Sequence, residues 1–270
     1  MTICIAALCD SGNQVVFALD RMVTGQDYEY EQDLFKIGTL SPCSVAMISG
    51  VALYHTDLLR NVEASVGQRA APTILEIVET VKTHFVNLRR QLAEERFLKP
   101  IGLDIEGFLT QQGRLNETLA LRLSRSIEEA RLRLEMIVAG VDREGGHIYH
   151  IGDPGISHCF DVMGFCTIGS GEHHAGMTLI RNKYSISMPL KKVAFLAYQA
   201  KKEAEIAPGV GTTYTDVGII GKGGVVLLEK EALQSLDSLY ENVDTEHQKL
   251  ISAFEEQIDL LPLDEKGGRK

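Results

Sequence analysis

Apolar residues follow two different periods along this chain. Thr2–Cys9 (TICIAALC) is an almost continuous apolar run rich in β-branched residues, Asp10-Ser11-Gly12-Asn13 supplies turn chemistry, and Gln14–Leu19 (QVVFAL) is apolar again. This predicts a hairpin. Because neither run alternates with polar residues, both of its faces are expected to be covered. A second strand pair is predicted over Leu34–Leu40 and Ser44–Ser49, broken at Ser41-Pro42 and ended by Gly50. From Val51 the spacing turns helical, with Leu53, Leu58, Leu59 and Val62 on one face. Further helices are predicted from Thr73, after Pro72, to Leu98, over Asp104–Gln111, and over Glu117–Leu134.

Strands return at Met136–Val141, His147–Ile151 and Cys166–Gly169, followed by helices at Glu172–Arg181 and Pro189–Ala207. Asp216–Ile220 and Gly224–Leu228 close a last hairpin around Gly221-Lys222-Gly223. The chain from Glu229 onward is charged and helical and ends in KGGRK, expected to be disordered. Strands that do not alternate singly with helices argue against a doubly wound parallel sheet. A layered α+β sandwich, two antiparallel sheets covered by helices, fits this order.

Composition narrows the classes. The 270 residues are 44% hydrophobic and 24% charged, values of an ordinary globular protein. Net charge is −10, from 27 basic and 37 acidic residues. That balance counts against nucleic acid or an anionic membrane surface as a partner. Five cysteines, with no CxxC pair, give neither a disulfide framework nor a zinc site. The opening MTICIAALC lacks a basic leader and is too short for a signal peptide, and no apolar run is long enough to span a membrane. A cytoplasmic protein is expected.

Several chemical signals lead nowhere. His147 and His150 would point to opposite faces of a strand, and His173-His174 open a helix, so no metal set converges. Gly169-Ser170-Gly171 precedes a helix without the Lys-Ser/Thr of a phosphate loop. No cofactor is implied.

The first hairpin is more informative. With its turn at Ser11-Gly12, paired residues sum to about 22 or 23, which places Thr2 beside Asp20 or Arg21 at the open end. If Met1 is removed, Thr2 carries a hydroxyl and a free α-amine. Such an amine has a reference pKa of about 7.7–8.0, so it can accept a proton near neutrality. A Thr activated by its own amine is a known nucleophile. The same residue types also occur at solvated strand ends.

The order of motifs then carries a resemblance. Met-Thr-Ile at the start, Phe-Ala-Leu-Asp-Arg (17–21), Phe-Lys-Ile (35–37), Ile-Ser-Gly (48–50), Ile-Val-Ala-Gly-Val-Asp (137–142), Ile-Gly-Ser-Gly (168–171) and Pro-Gly-Val-Gly (208–211) resemble proteasome β-type subunits and their bacterial relatives. These are N-terminal-nucleophile (Ntn) hydrolases. The resemblance covers residues 2–230 and implies a four-layer αββα sandwich. It assigns the nucleophile to Thr2, the acidic partner to Asp20 and the lysine to Lys36, 16 residues on. It also assigns the oxyanion donor to the Gly50 N–H, support of the nucleophile's amine to Ser170, and a substrate pocket wall to Ile48, which would favour apolar residues before the cut bond.

The implied activity is a threonine-type peptide hydrolase without metal or cofactor, acting on peptide or protein through an acyl-enzyme. Self-association in a ring or related assembly is implied too; an ATPase partner is left open. Two departures stand out. Ile206–Thr212 carries no carboxylate where the family has one, and the helical block 51–134 is enlarged, with a charged extension over 231–270. An Ntn amidase on small amides, or an inactive scaffold or assembly protein, are the alternatives.

Overall fold

The computed structural model describes residues 2–24, 28–33 and 36–255. It divides into two compact units, the first running to Leu228 and the second starting at Glu229.

The first unit opens with β1 (Ile3–Cys9) and β2 (Gln14–Asp20), then β3 (Met22–Thr24), β4 (Glu29–Glu31), β5 (Ile37–Ser41) and β6 (Ser44–Gly50). A helical block follows: α1 (His55–Val66), α2 (Ile74–Ala93), α3 (Ile105–Gln111) and α4 (Glu117–Glu129). Next come β7 (Leu134–Val141), β8 (Gly146–Gly152), β9 (Ile156–Cys159) and β10 (Phe165–Gly169), then α5 (Glu172–Arg181) and α6 (Leu190–Ala204). The hairpin β11 (Thr215–Gly221) and β12 (Gly224–Leu227) closes the unit. The second unit contains α7 (Lys230–Glu255), whose Leu239, Val243, Leu250, Ile251 and Phe254 are exposed.

Two antiparallel five-stranded sheets form, in the orders β10-β1-β2-β11-β12 and β5-β6-β7-β8-β9, with β3 and β4 as a separate two-stranded ribbon. Strand alternation explains the uninterrupted apolarity of β1. Its Cys4, Ala6 and Leu8 enter a core shared with Phe17 and Leu19 of β2, Met47 of β6 and Ile137 of β7, so the sheets face one another. The alternate residues Ile3, Ile5 and Ala7 are equally buried on the other face, where α6 packs on β1 and β2. A second core lies between the other sheet and the helical block. There Ala46, Ile48, Met136 and Val138 meet Leu58 and Val62 of α1 and Ile77, Val81 and Phe85 of α2.

The start of α2 shows why the chain turns helical after Pro72. Thr73 Oγ1 accepts from the Glu76 N–H at 3.3 Å while the Glu76 carboxylate accepts from the Thr73 N–H at 2.8 Å. Such a cap contributes about 1 kcal/mol.

Two sequence expectations need correction, and three short strands were not foreseen. Leu53 precedes α1 in a short 3₁₀ turn and is 85% exposed; the buried stripe is Leu58, Val62 and Val66. The helix expected to reach Leu134 ends at Glu129, because Leu134 joins the sheet opposite Gly50 and the Asp153 carboxylate accepts from the Leu132 and Arg133 N–H groups at 3.0 and 2.8 Å. The short strands β3 and β4 were not legible in the apolar pattern, since EYE and MVT carry too few apolar positions. Nor was β9, whose ISHC is mostly exposed. Leu34 and Phe35 of the second predicted strand pair, and the KGGRK end, lie outside the described residues.

Candidate active site

The first hairpin pairs Cys4 with Leu19 and Cys9 with Gln14. Continuing that register by two residues brings Thr2 opposite Arg21 and next to Asp20. On the other side of β1, Gly169 pairs with Ile3, so Ser170 follows at the level of Thr2. Asp20 ends β2 opposite Thr215 of β11. Lys36 immediately precedes β5. Ends of β1, β2, β5, β10 and β11, from different parts of the sequence, thus lie together.

Thr2 and Asp20 are buried, at 2% and 0% exposure. The Thr2 hydroxyl donates to Asp20 Oδ1. Lys36 Nζ donates to Thr2 Oγ1 at 3.0 Å and forms an ion pair with Asp20 Oδ1 at 3.4 Å. The other carboxylate oxygen, Asp20 Oδ2, accepts from the Gly211 N–H at 2.7 Å. A hydroxyl is therefore held between a carboxylate that accepts its hydrogen bond and a cation able to stabilise negative charge on its oxygen. This is the environment an alcohol needs to become a nucleophile.

The loop bearing Gly211 is anchored from several sides. The Glu31 carboxylate of β4 accepts from the Thr213 N–H at 2.7 Å and the Tyr214 N–H at 3.4 Å. Burial alone would raise the Glu31 carboxyl, but these hydrogen bonds and the charge of Lys201 hold it below the ordinary carboxylate range. A Cβ at Gly211 would lie 1.9 Å from Glu31 Oε1, so any larger residue would displace the carboxylate that holds this loop. Arg21 makes a bidentate contact with Asp216 at 2.8 and 2.7 Å, also pairs with Asp33, and covers the Tyr214 ring at 5.0 Å.

The remaining expected residues are placed as follows. Gly50 ends β6 at a φ of +115°, where a Cβ would come within 2.0 Å of the Arg133 carbonyl oxygen. It is exposed and borders a cavity of about 360 Å³ together with Ser49, Glu135, His150 and Asp153. Ser170 Oγ is buried and has no hydrogen-bond partner among the described residues. Ile48 is 1% exposed and packs with Leu58 and Leu134 in the core beneath the helical block, outside the hydrogen-bonded group. Strand alternation sends Met47 the other way, into the core between the sheets.

Sequence reasoning missed three participants. His55, the first residue of α1, has a buried Nε2 without a hydrogen-bond partner, and burial together with the charge of Lys36 pushes it down to about 4, so it is neutral near pH 7. The Gly211 amide ends the Pro-Gly-Val-Gly motif (208–211), to which the resemblance assigns no role of its own. Lys201 is fully buried on α6. Its spacing to Glu205 was visible in the sequence; its burial was not.

A larger cavity of about 790 Å³ lies at the far end of β6, between Cys43, Val66, Ile74 and Lys222, and contains none of these groups. Among the described residues, no three His, Cys, Asp or Glu side chains converge to hold a metal, and no helix is long and apolar enough to cross a membrane. No protein-family model and no curated protein matches this sequence.

Proposed function

We propose that this chain is a threonine-type Ntn hydrolase similar to proteasome β-type subunits, cleaving peptide bonds with Thr2 once Met1 has been removed. The observation that carries the reading is the group formed by buried Thr2 and Asp20 with partly buried Lys36, whose Nζ lies 3.0 Å from Thr2 Oγ1. Two face-to-face antiparallel sheets, with helices against both outer faces, are consistent with the αββα arrangement of that superfamily.

In the proposed reaction the freed α-amine of Thr2 accepts the hydroxyl proton as Oγ1 attacks the peptide carbonyl. Lys36 offsets the charge that develops on Oγ1, and Asp20 keeps Lys36 charged and in place. The tetrahedral oxyanion is directed to the Gly50 N–H, a preorganised donor of a kind that contributes about 3–4 kcal/mol. Collapse, with the α-ammonium returning its proton to the leaving nitrogen, releases the amine product and leaves an ester on Thr2. Water, deprotonated by the same α-amine, hydrolyses that ester. The unpartnered Ser170 hydroxyl is suited to hold the α-amine; Ile48, packed in the core beneath the helical block and absent from the cavity lining at Gly50, is left out of the proposed substrate pocket. Domain 1–230 would do this chemistry, with 231–270 as an extension. A homo-oligomer in a reducing, cytoplasmic setting belongs to the same proposal; all five cysteines are free.

A second reading, a catalytically silent proteasome-like scaffold, is favoured by the 2% exposure of Thr2. Intact-mass and native-mass measurements, with assays of a fluorogenic peptide panel and small amides, separate the readings. The proposal expects loss of Met1, a multimeric mass, and peptide cleavage that Thr2→Ala abolishes. Retained Met1, or a Thr2→Ala variant as active as the wild type, would sink it. Cleavage of amides alone points to an Ntn amidase.

A further inference from the structure

Lys201 has 0% exposure in the last turn of α6. Lysine is almost never fully buried unless its charge is held by partners. Here Nζ donates to Glu205 Oε1 at 2.6 Å, one helical turn on, and to the Gly211 carbonyl oxygen at 2.9 Å. Glu205 is itself held on its other oxygen by Lys202 at 3.3 Å. Burial lowers the Lys201 pKa, while the hydrogen bond and charge of Glu205 oppose that shift.

Gly211 is thus gripped on both sides, its carbonyl by Lys201 and its N–H by Asp20 Oδ2 at 2.7 Å. Side-chain carboxylates are absent from Ile206–Thr212. The ammonium–carboxylate pair at the end of α6 therefore anchors from outside a loop that has no charged anchor of its own, and Glu31 holds the amides of Thr213 and Tyr214. If the Gly211 amide moved, the buried Asp20 Oδ2 would lose this backbone donor and the carboxylate would be free to turn. Its Oδ1 would then leave Thr2 and Lys36.

We propose that Lys201 is a positioning residue of the Thr2 centre, fixing the orientation of the Asp20 carboxylate through Gly211. This rests on the reading of Thr2, Asp20 and Lys36 as the reacting set, and extends it to a residue with no contact to Thr2. The action of Lys201 is mechanical and electrostatic: no proton passes through it and it touches no substrate.

The test compares the wild type with Lys201→Met and with Lys201→Met/Glu205→Leu, the double variant removing the carboxylate that the single one would strand in the interior. Circular dichroism and thermal midpoints first establish which variant is folded. Two measurements follow on the full chain: kcat and KM on a fluorogenic peptide, and hydrogen exchange of segment 206–214 by mass spectrometry. The expected result is a fall in kcat of about 10-fold or more with KM within about twofold, and exchange of the Gly211 segment faster by about 10-fold. A folded variant with wild-type exchange in that segment overturns the proposal whatever its activity. Faster exchange with unchanged kcat overturns the positioning role. If the wild type cleaves nothing, the reading of Thr2 as nucleophile has failed. Hydrogen exchange then still decides whether Lys201 fixes Gly211.

Discussion

Replacing Asp20 with Asn keeps the shape of the side chain and removes its charge. Three donors converge on this residue: the Thr2 hydroxyl, Lys36 Nζ at 3.4 Å and the Gly211 N–H at 2.7 Å. An Asn offers one oxygen and an NH₂ group that itself donates, so at least one of the three meets a donor instead of an acceptor. The Lys36 ammonium, with its side chain only 11% exposed, loses its counter-charge in the same step. Removing one partner of a buried ion pair costs about 3–5 kcal/mol. The lost charge-assisted hydrogen bonds, about 1.5–3 kcal/mol each, are contained in that figure rather than added to it. For a unit of this size each kcal/mol shifts the melting temperature by about 2–4 °C, so Asp20→Asn should melt about 6–20 °C lower.

The chain has no tryptophan, so unfolding in urea is best followed by far-UV circular dichroism. The midpoint should fall with the slope unchanged. Lys36→Met and the double variant complete a cycle in which the double should be more stable than the sum of the singles by at least about 1 kcal/mol. If Asp20→Asn lies within about 1 kcal/mol of the wild type, or the cycle is additive, the buried pair does not hold this end of the hairpin.

Two further outcomes are expected. His147 lies between Asp142 at 3.3 Å and Asp161 at 2.7 Å; burial would lower its pKa, but the hydrogen bond and charge of Asp161, with those of Asp142, raise it above the ordinary value. Its stabilisation is thus complete below the unfolded value of about 6.5 and lost as pH rises through the higher folded value. His147→Gln should flatten the fall of stability as pH rises above about 6.5, and an unchanged slope would contradict the pairing. Among the thiols, Cys159 is exposed and Cys43 half-buried, while burial raises Cys4 and pushes Cys9 and Cys166 up to about 12. An aromatic disulfide reagent at about pH 8 should therefore modify Cys159 first and spare the other three until urea is added, a pattern that equal reactivity of all five would refute.

Local pattern determined the strands with dense apolar runs and the helices with clear stops. β1, β2, β6 and β11 were legible because they are buried on both faces, and α2 because Thr73 and Glu76 cap it beside Pro72. The hairpin register was legible too, since the turn at Ser11-Gly12 fixes which residues face one another, and it brought Thr2 to Asp20. The end of α4 was not. Leu132 and Leu134 fit a helical stripe as well as a strand, and the choice is made by Gly50 and Asp153, distant in sequence.

The site divides in the same way. Thr2 and Asp20 follow from a local turn, and the resemblance pointed to Lys36. Lys201, Gly211 and His55 could not be found by either route, because what matters about them is burial and direction. A lysine four residues before a glutamate on a helix is ordinarily a solvated pair. Only the packing of α6 against β1 and β2 removes water from it and turns Nζ to the loop that holds Asp20. Sequence fixed which groups are available, since residue type sets charge and hydrogen-bonding capacity. The tertiary structure decided which of them lose water and face one another, because desolvation is a property of everything packed around a group and not of the group itself.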